Sequence, residues 1–444
     1  MEGIRLKNTM MQYDYEQIEE FLNTIPQFTE LNGFERAGKL LKALGNPQKG
    51  LKVIHVAGSN GKGSVCVYID EILRANGYHT GLFVSPHLVD IRERIRTDGR
   101  LIDRQELVRA FERVSVAAEK LLAEGIRLAY FDYFFGMAMC IFMEKNVDIV
   151  ILETGIGGKL DATNVIEKPL LSVITTVSKE HTAVLGDTLE KIAAEKAGII
   201  KSGVPVVYSA KEPDVIKVIE ETARAKGAFP AVGVKPEMYQ IYKNTGNCID
   251  FSLHNGYYKN ECFSLATGAV YQAENCSIAL TAVKVLQERG LLKLDEGKIK
   301  QAVYNMHWEG RMEEVLSGVY LDGAHNPEGI ESFIRSAQAI CGEKKAVLLF
   351  SVVKDKNFEN MIRSLSESEL FDCFIVTELN SSRRLDGENI KELFAKYTNA
   401  DVYETDSLSE AFSMGRAKQK ETGGILLCTG SLYLVGEIKA LLLI

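Results

Sequence analysis

The chain has 444 residues, too many for one compact core, so two or three domains are expected. Its composition, 46% hydrophobic and 25% charged, is that of an ordered globular protein and excludes a disordered chain. A net charge of −8 excludes the clustered basic surface of a nucleic-acid binder, while leaving room for anionic small molecules at local positive sites.

In chain order, residues 14–44 predict a helix, with Leu22, Ile25 and Phe28 on one face, closed by the turn Gly45-Asn46-Pro47. A buried strand at 52–57 runs into a glycine-rich turn, and a helix follows from Ser64 to Ala75. Gly81–Val84 reads as a short strand ending at Ser85-Pro86-His87. Helices are expected at Arg104–Glu124 and at 132–145. Strands are expected at Asp148–Leu152, with Glu153 at its end, and at Leu171–Thr175. Asp187 and Glu190 are spaced as a capping box for the helix that carries Lys196, and Val204–Tyr208 follows as a strand. This alternation predicts a mostly parallel sheet covered on both faces.

From about 232 to 265 the pattern changes to short antiparallel strands at Tyr239–Tyr242 and Asp250–Leu253. A helix at Gln272–Gln287 returns to the first unit. A fresh alternation follows: strand 319–321, helix 328–340, strand 346–352, helix 357–365, strand 372–376, helix 387–396 and strand 425–428. The fold class is therefore α/β. A P-loop-containing, mostly parallel sheet domain with a small antiparallel β insertion (1–304) leads through a linker (305–313) to a second, Rossmann-like α/β domain (314–444).

The eight cysteines are scattered singly with no C-x-x-C pair, which argues against structural zinc or a redox dithiol. Cys66 and Cys140 sit in apolar runs and read as core thiols. Residues Met1–Arg5 lack a signal peptide's apolar stretch, and the run Tyr133–Met143 is too short to span a bilayer. A cytoplasmic protein with no membrane partner is expected.

The chemistry concentrates in Gly58-Ser59-Asn60-Gly61-Lys62-Gly63-Ser64. A glycine turn between strand and helix lets backbone N–H groups approach phosphate oxygens, while Lys62 neutralises charge and the helix N-terminus adds positive dipole. A standard P-loop ends Gly-Lys-Ser/Thr, whereas Gly63 here separates Lys62 from Ser64. Glu153, at the end of a neighbouring strand, stands where a Mg²⁺ ligand is usual. His181 and Lys196 would each read as structural or solvated if met singly. A place on the ligand-binding sheet edge, His181 directly after a strand, makes them candidates. In Tyr320–Pro327, Asp322 or Asn326 could simply cap a helix, and Arg311 could pair with phosphate or lie at the surface.

Taken together these motifs resemble the Mur ligase superfamily, where the extra glycine is typical. Ser85-Pro86-His87-Leu88 with Glu93-Arg94-Ile95, Leu160–Asn164, Glu195–Ile199, Asp322–Pro327 and Gly430–Leu434 resemble one branch, the folylpolyglutamate synthases, often bifunctional with dihydrofolate synthase in bacteria. The resemblance runs from about residue 36 to the C-terminus.

The resemblance implies an ATP-dependent ligase that adds L-glutamate to the terminal carboxylate of tetrahydrofolate through an acyl phosphate. It leaves open whether dihydropteroate is also converted to dihydrofolate. Residues 58–64 with Asn275, Arg311 and Asp322 would hold ATP. Ser85, Glu153, His181 and Lys196, the last as a CO₂-derived carbamate, would hold two Mg²⁺. His325 and Ser431 match positions linked with glutamate, and Lys62, Lys196 and His325 are the candidate catalytic groups. Arg36, Ala129, Tyr130, Phe131, Asp132, Leu160, Asp161 and Ala162 match the pterin site. A monomer acting on folate and L-glutamate is expected.

Two departures stand out: Glu180-His181 where the family shows Asp-His, and Phe131-Asp132 where it shows Phe-Glu. Each changes a carboxylate's reach by one methylene. Two competing interpretations remain. Another Mur-type ligase would normally need a further N-terminal nucleotide-sugar domain, and only about 50 residues precede the loop. An ATP-dependent binding or switch module would bind ATP without stoichiometric ADP release.

Overall fold

The computed structural model describes residues 13–381 and 383–443, so the expectation for Met1–Arg5 lies outside the described residues. Eight strands build the first sheet: β1 Val53–Ala57, β2 Thr80–Phe83, β3 Ile95–Thr97, β4 Arg100–Leu101, β5 Ile149–Glu153, β6 Leu171–Ile174, β7 Val206–Ser209 and β8 Ala231–Val234. Their order is β4-β3-β2-β5-β1-β6-β7-β8. All neighbours pair in parallel except β3 with β2 and β4 with β3.

β1 lies between β5 and β6 and is buried along its whole length, as a central parallel strand with both faces covered must be. Its side chains alternate between two cores. Ile54 and Val56 pack with Val65, Ile69, Ile278 and Val283 from the helices Lys62–Ala75 and Tyr271–Glu288. Val53 packs on the other face with Leu40, Leu107, Phe134 and Met137. The C-terminal ends of β1, β2, β5 and β6 therefore open on one edge.

Three antiparallel strands, β9 Tyr239–Asn244, β10 Ile249–His254 and β11 Lys259–Leu265, form the predicted insertion. The last sheet has β12 Glu313–Leu316, β13 Val319–Leu321, β14 Ala346–Phe350, β15 Phe371–Thr377, β16 Asp401–Thr405 and β17 Ile425–Thr429, in the order β12-β13-β17-β14-β15-β16. Only β12 runs antiparallel to its neighbour.

Several expectations need correction. The helix expected over 14–44 is two helices, Tyr15–Thr24 and Gly33–Ala43. Pro26 forces Ile25 out of the helical region, to ψ 131°, and Asn32 restarts the helix by accepting from the Glu35 N–H at 3.0 Å. Phe28 is consequently 64% exposed rather than on a buried face. The helix carrying Lys196, Leu189–Ala197, is capped by Thr188 rather than Asp187, whose carboxylate instead accepts from Lys191 Nζ at 2.8 Å. β6 ends at Ile174, so His181 lies at the end of a loop rather than directly on a strand end. β3, β4, β8, β11, β12 and β16 were not expected. Nor were the helices Pro213–Ala225, Glu296–Asn305, Leu408–Thr422 and Leu432–Leu442. The apolar run at 133–143 lies inside the buried helix Tyr130–Glu144, and no helix among the described residues is long and apolar enough to cross a membrane.

The second sheet has its own aromatic core. Phe374 is 1% exposed and packs at 4.5 Å on the Phe394 ring. Phe374→Ala is expected to destabilise that half by about 3–5 kcal/mol through the cavity it leaves. Urea titration followed by circular dichroism would show an early transition, with the transition of the first half unmoved.

Candidate active site

β1 delivers the glycine loop to the open sheet edge. Gly58 and Gly61 have φ of 154° and 84°, and a Cβ on either would collide, with Thr175 Oγ1 and Asn275 Oδ1 respectively. Glycine is required at both positions because the backbone itself occupies the space. Ser59 N–H donates to Thr176 O at 2.7 Å, and Thr175 Oγ1 donates to Asn60 O at 2.7 Å, so the loop is tied to the segment after β6.

Gly61 is the N-cap of the helix Lys62–Ala75 and supplies no capping side chain. The first helical N–H groups therefore have no side-chain acceptor, the arrangement that favours an anion. Lys62 Nζ folds back on the Gly58 and Ser59 carbonyls at 3.1 and 3.2 Å, beside where that anion would sit. Loop, bare helix end and lysine together fit a polyphosphate.

Glu153 ends β5, is 3% exposed, and accepts from the Ser85 N–H at 2.9 Å. Burial pushes its carboxyl up, while Lys62 and the Ser85 N–H pull the other way. Among the described residues no three His, Cys, Asp or Glu side chains converge as a ready-made metal cage. Glu153 with the Ser85 hydroxyl is instead a sparse, hard-oxygen donor pair. That suits Mg²⁺, which keeps waters and phosphate oxygens as its other ligands.

Lys196 is fully buried, and its Nζ donates to Gly58 O at 2.8 Å and to Glu180 Oε1 at 2.9 Å. Burial pulls the amine down, and Glu180 only partly offsets it. Burial opposes ionisation of Glu180, but Lys196 and Lys62 outweigh it and hold that carboxyl far below its usual range. The free amine is thus satisfied as it stands. His181, at φ 46°, caps a single helical turn and lines the cavity; burial lowers its pKa.

The second half supplies the opposite wall. Asp322, one residue past β13, is buried and accepts from Tyr271 Oη at 2.5 Å, Met312 N–H at 3.0 Å and Ala324 N–H at 2.8 Å. His325 Nδ1 lies 2.8 Å from Gly323 O, a carbonyl that can only accept, so Nδ1 carries the proton and Nε2 keeps its lone pair. Burial, and then Lys356, hold the His325 pKa down to about 4. Ser431 caps the helix Leu432–Leu442. Asn60 and Asn326 meet across the gap: Asn326 Nδ2 donates to Asn60 Oδ1 at 2.9 Å.

Between these walls lies a cavity of about 760 Å³. It brings together Ser59–Ser64, Ser85, Glu153, His181, Asn275, Arg311, Asp322, His325 and Ser431. Gly58 and Lys196 lie behind that wall. The proposed pterin residues do not line it. Arg36 is buried and donates through Nε to Asp132 Oδ2 at 2.5 Å, and Asp132 also accepts from the Ala129 N–H at 2.7 Å. Asp161 spends its oxygens on the Gly155, Ile156 and Thr163 N–H groups. Phe131 backs Gly155, Ala162 is buried, and Leu160 is 49% exposed. Tyr130 lies under the Arg94 guanidinium.

Unforeseen wall residues are Gln27 and Phe28, from the loop where a helix was predicted, and Lys356 and Arg383 from loops of the second sheet. Lys356 is pulled down by burial, partly offset by Glu180. No motif marked these positions, because loops between strands carry no periodicity.

Gly61→Ala is expected to weaken ATP binding at least tenfold, since strain at positive φ and the clash with Asn275 together cost on the order of 2 kcal/mol; titration calorimetry would read it. The His325 shift has a stability consequence. The unfolded chain takes up a proton near pH 6.5 and the folded one only near 4, so stability is lost as pH falls across that window and is unaffected above it. His325→Asn should reduce the loss measured by urea midpoints at pH 7 and pH 5.

Residues 310–432 match the family described as Mur ligase, glutamate ligase domain. The dihydrofolate synthase/folylpolyglutamate synthase of Bacillus subtilis (strain 168) is 30% identical over 433 residues, covering 96% of this chain and 98% of its own. The crystal structure of folylpolyglutamate synthase from Thermotoga maritima superposes with a TM-score of 0.81 at 32% identity, over 97% of this chain and 96% of that one. E. coli FolC in complex with DHPP and ADP gives a TM-score of 0.83 at 27% identity, over 97% and 98% of the two chains. With its loop, opposed walls and near full-length match to these proteins, the chain belongs to the folylpolyglutamate synthase/dihydrofolate synthase family of Mur-type ATP-dependent ligases.

Proposed function

We propose that this chain adds L-glutamate to the terminal carboxylate of tetrahydrofolate at the expense of ATP. One observation carries the assignment: a bare phosphate-binding helix end beside Glu153 faces Asp322, His325 and Ser431 across a single cavity. A carboxylate is a poor electrophile, so ATP first phosphorylates it to an acyl phosphate. The glutamate amine then attacks and phosphate leaves. Lys62 and the loop N–H groups hold the transferring phosphoryl group and neutralise its charge. Asn275, Arg311 and Asp322 hold the rest of the nucleotide. The His325 Nε2 lone pair can take the proton that the attacking amine sheds, and Ser431 helps seat the incoming glutamate.

Ser85, Glu153 and His181 would hold Mg²⁺, which supplies charge neutralisation at the phosphates when bound. Burial, which lowers the Lys196 pKa, supports a carbamate there because CO₂ reacts with a neutral amine; the modification would replace the Nζ contacts with Gly58 O and Glu180. The Asn60–Asn326 pair, the connection at 305–313 and the two sheets support domains at 1–304 and 314–444 that close to exclude water. Arg36, Ala129–Asp132 and Leu160–Ala162 would act as the scaffold behind the pterin pocket, with Leu160 at its rim. A monomer in the cytoplasm is the accompanying proposal, and the location accords with the single, unpaired cysteines.

A second activity, dihydropteroate to dihydrofolate, is favoured by the double name of the Bacillus subtilis relative. ADP release by the purified protein with glutamate plus tetrahydrofolate, then with glutamate plus dihydropteroate, decides between one activity and two. Lys62→Ala is expected to lower ADP release by at least about 100-fold with an unchanged circular dichroism spectrum, in keeping with the loss of a transition-state charge partner. Near-normal turnover in that variant would refute the assignment.

A further inference from the structure

The segment after β2 contains a histidine that the ligase chemistry above does not use. His87 lines the cavity between Ser85 and the second half's wall. Its Nδ1 receives a hydrogen bond from Arg94 Nε at 2.8 Å. A guanidinium can only donate, so this nitrogen must be the lone-pair nitrogen, and the ring proton must sit on Nε2. Among the described residues no side chain or backbone group pairs with Nε2.

The surroundings make this a fixed arrangement. Arg94 is 7% exposed, with its guanidinium carbon 5.2 Å from the Tyr130 ring centroid and 5.0 Å from that of Phe134. The segment that bears His87 is pinned at both ends. Glu153 accepts from the Ser85 N–H at 2.9 Å, and Glu93 accepts from the Leu88 and Val89 N–H groups at 2.7 and 2.9 Å. Leu88 packs into the second half, against Gly310 and Gly436. His87 therefore stands at the seam of the two halves, with one side chain dictating its tautomer.

We propose that His87 Nε2–H donates a hydrogen bond to an oxygen of the folate carboxylate while it is activated and attacked, and that Arg94 is the positioning residue that fixes this donor. The inference rests on the ligase assignment, because it requires a carboxylate between the phosphate loop and the glutamate side of the cavity. The location fits. His87 is two residues from Ser85, beside the phosphate-side donors, and its neighbour Leu88 touches the helix Leu432–Leu442, which Ser431 caps. An acyl oxygen must lie between those two groups. A neutral, pre-aimed N–H gains strength as charge builds on that oxygen, and it needs no reorganisation at the moment of reaction.

The experiment measures ADP release with tetrahydrofolate and glutamate for the wild type, His87→Ala and His87→Gln, and the ring tautomer of His87 by nitrogen-detected NMR in the wild type and Arg94→Met. His87→Ala should lower kcat about 10- to 100-fold, the effect of losing a hydrogen bond to a charged group, without changing KM for ATP. His87→Gln, which keeps a neutral N–H at similar reach, should recover part of kcat. The wild-type ring should carry its proton on Nε2, and Arg94→Met should release that preference and lower kcat. Wild-type kcat in His87→Ala, equal loss in His87→Gln, or an Nδ1–H ring in the wild type would each overturn the proposal. If His87→Ala fails to fold, the glutamine variant and the tautomer decide. A wild type that releases no ADP overturns the ligase assignment and this inference with it, whereas failure of the His87 role alone leaves wild-type turnover intact.

Discussion

In the unmodified chain the site is held together by one buried lysine side chain. Lys196 reaches from the helix Leu189–Ala197 to the carbonyl of Gly58 and to Glu180, joining the glycine loop, the segment after β6 and that helix at one point. Removing either partner would leave a charge stranded in the interior, which costs several kcal/mol. The loop is thereby held from behind while its N–H groups stay free in front. A surface lysine could not do this, because water would compete for every bond it makes.

The two halves are complementary at this loop. Asn60 lies in the phosphate loop, yet its amide pairs with Asn326, the cap of the helix Pro327–Cys341. Asn60 Nδ2 also donates to Glu328 at 2.9 Å, which is in turn bridged by Lys211 at 3.1 Å. The residue that shapes the nucleotide loop thus also contacts the element that presents His325. Under the proposed function, such a shared contact is a physical route by which a ligand held at this turn would bias the two halves toward one another.

Much of this was legible beforehand, for reasons that differ by residue. β14 is an unbroken apolar run and β1 and β5 are interrupted only by His55 and the terminal Glu153, so their burial on both faces followed from composition. Gly58 and Gly61 could be read as functional because a strand precedes them and a helix follows. Asp322 and His325 came from a motif, and the structure shows why they adjoin: both leave the end of β13. The failures are local and physical. Pro26 was passed over as a helix breaker, so the loop that contributes Gln27 and Phe28 to the cavity was missed. Arg36 and Asp132 were each singled out, but their pairing with one another across 96 positions is one that no spacing rule reveals. Lys356 and Arg383 lie in aperiodic loops, brought to the cavity only by the order of the second sheet.

The extra glycine has a structural explanation of its own. A Cβ at position 63 would lie 3.2 Å from Trp308 Nε1 and 3.5 Å from two further indole atoms. Trp308 belongs to the stretch between the helix Glu296–Asn305 and β12, and the Arg96 guanidinium lies over its ring, 5.0 Å from the centroid. The connection between the halves is therefore not a free tether. It is packed onto the first turn of the helix Lys62–Ala75, where any larger residue at position 63 would press on the indole. Three residues later the same stretch supplies Arg311 to the cavity wall. The departure from the ordinary P-loop pattern thus marks where the second half of the protein is moored to the first.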